Sequence, residues 1–258
     1  VSEGLDVTVR ALIDPGDEVV LSEPSYVAYA PAISLSGGVP DFVPTYASER
    51  FVIDPVKFRD AITPRTKAVL LSSPANPTGA VLSRDVLEHL AETIITNDLL
   101  VISDEIYKEI TYAPEYTSIG SIEGMGDRTV TVNGFSKAYA MTGWRLGYMG
   151  APQSLIKQAA KIHSHTVTCA TNMVQQAGVE ALENTEDSVR EMVSSFRQRR
   201  DFILRLLSNS GMDILSPDGA FYVMIPVGGN GVKWCEKSIE EAHVAMVPGE
   251  AFGAPGYA

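Results

Sequence analysis

Short apolar runs alternate with helical patterns through about the first 150 residues, and this alternation restricts the possible folds more than any other feature of the sequence. The runs that indicate strands lie at 18–21, within 38–46, and at 66–71, 99–103 and 129–132. Parallel strands need long crossover connections, which are usually helices. We therefore predict an α/β fold, in which a mostly parallel sheet is flanked by helices on both faces.

Helix signals support this reading and also indicate where the organisation changes. Asp54-Pro55 is a typical N-cap and first residue of a short helix, and Ser83 is the N-cap of a clearer one. A long helical pattern runs from about 187 to 207, and two strands are predicted at 212–215 and 220–225. We expect residues 1–190 to form a large domain, and residues 191–258 to form an interdomain helix and part of a small α+β domain.

Composition excludes several classes of function. The net charge of −12 disfavours nucleic acid and anionic membrane surfaces as partners, because both would be repelled. The two cysteines form no disulfide or metal pattern, and His163 and His165 have no third ligand nearby, so no metal is expected. No run of residues is long enough to span a membrane, and no basic-then-apolar leader pattern is found in the sequence. The expected location is the cytoplasm.

Polar residues follow three successive predicted strands. Asn76 comes after the strand that ends near 71, Asp104 and Tyr107 after the strand that ends at 103, and Lys137 and Arg145 after the strand that ends near 132. Ligands of open parallel sheets bind at this carboxyl edge. Singly, each residue is compatible with an ordinary role in a turn, a helix cap or the solvated surface.

Together, these side chains meet the requirements of one ligand. A protonated pyridine ring needs an anion at its nitrogen, its 3-oxygen needs hydrogen-bond donors, its aldehyde needs a lysine, and its phosphate needs a guanidinium. The stretches that contain the five residues read SPANPTG, SDEIY and NGFSKAYAMTGWRLGY. In this order they resemble the class I aminotransferases of the aspartate aminotransferase type, which are pyridoxal-phosphate enzymes of fold type I. The resemblance extends over essentially the whole chain.

The resemblance implies a role for each residue at the ring of pyridoxal 5'-phosphate. Lys137 would bind the cofactor as a Schiff base and would later move the proton between the substrate α-carbon and the cofactor. Asp104 would keep the ring nitrogen protonated, and Asn76 and Tyr107 would donate hydrogen bonds to the 3-oxygen. Tyr26 stands where the family stacks an aromatic ring on the cofactor. Lys137, Asp104 and Tyr107 are the expected catalytic residues, and all five residues are expected to bind the cofactor.

The phosphate end of the cofactor is expected to contact Ser136, Arg145 and Ser2, which opens the first helix. One departure from the family pattern is Gly134, where many relatives have a hydroxyl that binds the phosphate, so one contact is expected to be missing. The implied reaction moves an amino group between a small α-amino acid, with aspartate favoured, and a 2-oxo acid. A homodimer is expected from the same resemblance.

Both ends of the sequence are typical of the middle of a longer polypeptide, since it opens on Val1-Ser2-Glu3 and stops at Ala258. Most of the phosphate loop and the arginine that binds the substrate carboxylate in relatives are expected to lie outside it. The 258 residues alone are therefore expected to transaminate poorly.

Two alternatives to transamination stay open. The first is another pyridoxal-phosphate reaction on the same fold, namely β-elimination, decarboxylation or cyclopropane formation. The second is the aminotransferase-like sensor domain of a transcription regulator, which would need a DNA-binding module before Val1. A dehydrogenase is disfavoured, because no G-x-G-x-x-G follows a strand.

Overall fold

A computed structural model describes residues 1–258, and its centre is a six-stranded sheet. The strands are β1 (Glu18–Glu23), β2 (Val39–Pro44), β3 (Thr66–Ser72), β4 (Leu100–Asp104), β5 (Thr129–Gly134) and β6 (Gly147–Gly150). Their order is β2-β1-β3-β4-β5-β6, with β1 to β5 parallel and β6 antiparallel to β5. The predicted mostly parallel sheet is confirmed.

Eight α-helices connect and flank the strands. They are α1 (Ser2–Leu12), α2 (Tyr29–Leu35), α3 (Pro55–Asp60), α4 (Arg84–Thr96), α5 (Gln153–Thr166), α6 (Asn172–Asn184), α7 (Glu186–Asn209) and α8 (Gly231–Lys237). A π turn, Ser238–Ala242, continues α8. Short 3-10 turns lie at Ala47–Glu49, Ile119–Ser121, Gly126–Arg128, Thr142–Trp144 and Gly249–Phe252. None of the helices combines the length and the apolar character that a membrane span requires.

The helix starts follow from the capping residues that the sequence indicated. The Asp54 carboxylate accepts a hydrogen bond from the backbone N–H of Val56 at 2.7 Å, at the start of α3. The Ser83 hydroxyl accepts one from the N–H of Val86 at 3.3 Å, at the start of α4. Each cap satisfies an N–H group that the first turn of a helix leaves without a partner.

Alternate residues of the central strands fill two separate cores, one on each face of the sheet. Val69 and Val101 pack with Leu90 and Ile94 of α4 in one cluster, whereas Ile102 belongs to the opposite cluster with residues of α1. Successive side chains of a strand point to opposite faces, so a strand covered on both sides must be apolar throughout. This explains why these strands read as unbroken apolar runs.

For the strands, the sequence prediction differs from the structure at two places. The predicted strands at 212–215 and 220–225 are not formed, because no neighbouring strand pairs with them; only single bridges join Thr111 to Gly219 and Pro226 to Tyr257. Conversely, β6 was not predicted. It is four residues long, begins and ends with glycine and is mostly exposed, so it lacks the apolar pattern of a strand and depends on pairing with β5.

Candidate active site

The carboxyl ends of β3, β4 and β5 meet at one edge of the sheet, where Ser72 pairs with Asp104 and Asp104 pairs with Val132. A cavity of about 220 Å³ opens there. Every cofactor-site residue predicted from the sequence lines this cavity: Ser2, Tyr26, Asn76, Asp104, Tyr107, Ser136, Lys137 and Arg145. The structure thus brings together side chains from the N-terminus of α1 and from the segments that follow β1, β3, β4 and β5.

Asp104 is a buried carboxylate at the last position of β4 and is only 3% exposed. Its Oδ1 atom accepts a hydrogen bond from the N–H of Ile106 at 3.1 Å, and its Oδ2 atom accepts one from the Tyr29 hydroxyl at 2.8 Å. Burial raises the pKa of Asp104 above its usual value, and these two hydrogen bonds act in the opposite direction. The carboxylate forms no ion pair with a side chain, so a cationic ligand group would compensate its burial.

Asn76 and Tyr107 are connected by hydrogen bonds to a third residue, Tyr222. The hydroxyls of Tyr107 and Tyr222 are 2.5 Å apart, and the Asn76 Nδ2 atom lies 3.4 Å from the Tyr222 hydroxyl. The Oδ1 atom of Asn76 is buried and has no hydrogen-bond partner. Such atoms are rare in folded proteins and call for an explanation such as a ligand site.

Lys137 follows β5 and is half-buried. Its Nζ atom lies 5.9 Å from the ring centre of Tyr107 and 5.6 Å from that of Phe221. Neither a carboxylate nor any other side chain pairs with the amine. An unpaired amine that lies near two aromatic rings, at the wall of a cavity, is free to react with a ligand that enters there.

Arg145 lines the cavity together with Ser136 and Ser2. Its backbone is left-handed, with φ 54°, and its Nη1 atom donates a hydrogen bond to the carbonyl of Thr142 at 2.7 Å. The side chain is exposed and forms no ion pair, so most of its donors are open to an anion. The same three residues also line a larger adjoining cavity of about 460 Å³.

Gly134 ends β5 opposite Gly147, and the structure explains why no side chain stands there. A Cβ atom at Gly134 would lie 3.0 Å from the carbonyl oxygen of Leu146 and 3.1 Å from the Cα atom of Gly147. A side chain would therefore crowd the backbone of the neighbouring strand. The missing hydroxyl at this position is consistent with the close approach of β5 and β6.

Two tyrosines of the site were not found from the sequence. Tyr29 donates to Asp104, 75 residues away, and also meets Tyr26 edge to face, with 5.4 Å between the ring centres. Tyr222 contacts Asn76 and Tyr107 from a segment more than a hundred residues further along the chain. Tyr29 follows the predicted strand at 18–21 but lies outside the quoted motifs, and Tyr222 follows no predicted parallel strand, so the tertiary fold is needed to place both.

The sheet order and this cavity define a class of protein, and comparison with known proteins identifies it. The chain matches the family of class I and II aminotransferases over residues 1–258, and it belongs to this family. Among its relatives, the putative aminotransferase YugH of Bacillus subtilis is 42% identical over 99% of this chain and 67% of its own length. An aspartate aminotransferase of Thermotoga maritima is 41% identical over 96% of this chain and 65% of its own length.

Solved structures agree with this assignment. An aspartate aminotransferase double mutant of Thermus thermophilus superposes with a TM-score of 0.95 and 42% identity, over 99% of this chain and 68% of its own. The aromatic aminotransferase of Pyrococcus horikoshii superposes with a TM-score of 0.96 and 39% identity, over 99% of this chain and 71% of its own. The chain spans about two thirds of the length of these relatives.

Proposed function

We propose that this chain is the cofactor-binding part of an aminotransferase that uses pyridoxal 5'-phosphate to move an amino group between a small α-amino acid and a 2-oxo acid. The observation that supports the proposal most strongly is the combination of a buried, unpaired carboxylate at Asp104 and an unpaired amine at Lys137 in one cavity. Aspartate is the favoured substrate, because relatives about 40% identical to this chain are aspartate aminotransferases.

The residues present fit this cofactor. No side-chain cation pairs with Asp104, and a protonated ring nitrogen would provide a cation beside it. Asn76 and Tyr107 present an amide and a phenol toward the cavity, which suits the 3-oxygen of the ring. The open guanidinium of Arg145 suits a phosphate.

Asp104 would hold a proton on the ring nitrogen, since the buried carboxylate is stabilised by the positive charge. When bound, the cofactor supplies an electron sink for the electrons released at the substrate α-carbon. Asn76 and Tyr107 would orient the ring through its 3-oxygen, and Tyr26 would pack against its face. Hydrogen bonds and packing that are already in place before the reaction lower the cost of reorganisation.

Lys137 would have two successive tasks. Its Nζ atom would first hold the cofactor covalently, and after the substrate takes its place it would be a free amine beside the substrate α-carbon. It would then accept the proton from the α-carbon and donate it to the cofactor, as a general acid–base group. The aromatic rings of Tyr107 and Phe221 beside the amine would limit the access of water.

The proposal includes the organisation of the protein. Residues 1–190 would be the large domain and residues 191–258 the interdomain helix with part of a small domain, and the protein would act as a homodimer. The helix α7 crosses residue 190 and would be the link between the two parts. The homodimer rests on the family resemblance alone.

The direct experiment follows the cofactor in the full-length polypeptide that contains these residues. The protein is loaded with pyridoxal phosphate and mixed with each amino acid of a panel, while absorbance reports conversion to the amine form. Conversion is expected with aspartate or a close relative, and none is expected in Lys137→Ala. Consumption of an amino acid without the amine form would favour elimination or decarboxylation instead. Absence of any change with the whole panel would contradict the proposal.

A further inference from the structure

Three polar groups in the cavity form a continuous hydrogen-bonded row: the Asn76 amide, the Tyr222 hydroxyl and the Tyr107 hydroxyl. Tyr222 is in the middle, 3.4 Å from the Asn76 Nδ2 atom and 2.5 Å from the Tyr107 oxygen. All three residues line the cavity. The family motifs contain Asn76 and Tyr107 but not the residue between them.

The row can carry its protons in either of two directions, because Tyr107 and Tyr222 can each donate to the other. An amide nitrogen only donates, whereas a phenol has one proton to donate and an oxygen that can also accept. If Asn76 donates to Tyr222 and Tyr222 donates to Tyr107, each bond has one donor and one acceptor. The proton of Tyr107 is then left over and free to bind a ligand in the cavity. In the opposite direction Tyr222 accepts from both neighbours and Tyr107 donates to Tyr222, so a cofactor oxygen that accepts from Tyr107 requires the first direction.

We propose that Tyr222 is a positioning residue that fixes the direction of this row, so that Tyr107 donates its proton to the 3-oxygen of the bound cofactor. This inference rests on the function proposed above. Donation from Tyr222 also polarises the Tyr107 hydroxyl and makes it a stronger donor, because hydrogen bonds in a chain reinforce one another. Tyr222 thereby acts on the cofactor through Tyr107.

The surroundings hold Tyr222 in place for this task. Its segment is bound to the loop of Asn76, since the N–H of Gly219 donates to the carbonyl of Gly79 at 2.9 Å. The ring of Tyr222 packs edge to face on that of Tyr107, with 5.7 Å between their centres. Burial raises the pKa of both phenols, so each keeps its proton at neutral pH.

The expected consequence is a change in how tightly the nitrogen that joins Lys137 to the cofactor binds its proton. A donor to the 3-oxygen withdraws negative charge from the neighbourhood of this nitrogen. Tyr107→Phe removes this donor. It should therefore raise the midpoint of the titration of cofactor absorbance against pH by about one pH unit. Tyr222→Phe leaves Tyr107 a weaker donor and should raise the midpoint by a few tenths of a unit, roughly 10–30% of that effect.

The test is a double-mutant cycle in the full-length protein loaded with pyridoxal phosphate. Tyr107→Phe, Tyr222→Phe and the double variant are compared with the wild type by titrating the cofactor absorbance against pH. Tyr112→Phe is the matched control, because its buried hydroxyl donates to the Ala220 carbonyl at 2.7 Å but does not line the cavity. Thermal unfolding of each variant verifies that the fold is retained. Retention is expected, because Tyr→Phe keeps the aromatic ring and removes only the hydroxyl.

The proposal predicts that Tyr222→Phe raises the pH midpoint in the wild-type background. It should have no further effect when Tyr107 is already Phe, and Tyr112→Phe should leave the midpoint unchanged. Equal shifts in the two backgrounds would overturn it, because Tyr222 would then act on the cofactor directly. A midpoint that does not move in Tyr222→Phe would also overturn it, while the proposed function would stand. A wild-type protein that binds no cofactor at Lys137 would instead overturn the proposed function and this inference together.

Discussion

The interior of the sheet and its carboxyl edge are built from the same strands but satisfy different requirements. In the interior, Val69, Val101 and Ile102 are fully buried among apolar neighbours. At the edge, Asp104 is buried without an ion pair to a side chain, and Lys137 has an amine without a partner. Buried polar groups that lack partners cost stability. The comparison indicates that the interior stabilises the fold, whereas the edge keeps its binding capacity for a ligand.

The largest effect is expected from Lys137→Ala, which tests whether the edge can lose its function without damage to the interior. Removing both the covalent attachment and the proton-transfer group should lower turnover by about four decades. The midpoint of thermal unfolding of the apo protein should change little, because the amine contacts only aromatic faces. Lys108→Ala is the control, since Lys108 is exposed beside Glu109 and should leave turnover unchanged. A comparable loss of turnover in Lys137→Ala and Lys108→Ala would contradict a specific role of Lys137.

Asp104→Asn should have the next largest effect on activity. The amide keeps the size of the side chain but cannot compensate a ring cation, so the half-reaction should slow by about two to three decades. The pre-steady-state rate of conversion to the amine form measures this step directly. A variant with a near-normal rate would show that another acid performs the task.

The same variant separates function from stability through its pH dependence. Burial raises the pKa of Asp104 in the folded state, so this carboxyl destabilises the folded apo protein at pH values above both its folded and unfolded pKa. The cost disappears as the pH falls below both values. Apo Asp104→Asn should therefore be at least as stable as the wild type at neutral pH, with the difference shrinking in acid. Chemical denaturation at several pH values is the measurement, and a less stable variant at neutral pH would contradict the account.

The converse change belongs to the interior. Leu90 in α4 is fully buried, and Leu90→Ala should lower the free energy of unfolding by about 2–5 kcal/mol through lost burial and a cavity. Ile95 of the same helix is 41% exposed, so Ile95→Ala should cost well under half as much. Folded Leu90→Ala should still bind cofactor with unchanged absorbance. An altered cofactor spectrum would show that the two regions are not separable.

The smallest effect is expected from Tyr29→Phe, which removes the hydroxyl that donates to Asp104 at 2.8 Å. Losing a donor raises the pKa of the carboxyl further, so a higher pH is needed to ionise it. Turnover should fall by about tenfold, and the acidic limb of the pH profile should move to higher pH. Tyr46→Phe, on an exposed tyrosine, should have neither effect. A profile that shifts to lower pH would contradict the role of Tyr29.

The two regions were also unequally accessible from the sequence. The apolar strands and the caps at Asp54 and Ser83 were predicted correctly, because burial on both faces and helix capping each produce a pattern in the local sequence. The wrongly predicted strand at 220–225 had the local pattern of a strand but no partner, and pairing is a property of the tertiary structure.

The site shows the same limit. Its predicted residues share one cavity because they follow neighbouring parallel strands, and that rule can be applied to a sequence. Tyr29 and Tyr222 reach the site through contacts between distant segments, which no local pattern records. The roles of all these residues stay predictions until they are measured.

The most direct test of the account is to locate the covalent attachment of the cofactor. Full-length protein loaded with pyridoxal phosphate is reduced with borohydride, digested, and its peptides are mapped by mass spectrometry. The account predicts a pyridoxyl group on Lys137 and on no other lysine, because this amine alone among the lysines lines the cavity beside Asp104. A label on Lys108 or Lys161, with Lys137 unmodified, would contradict the central claim.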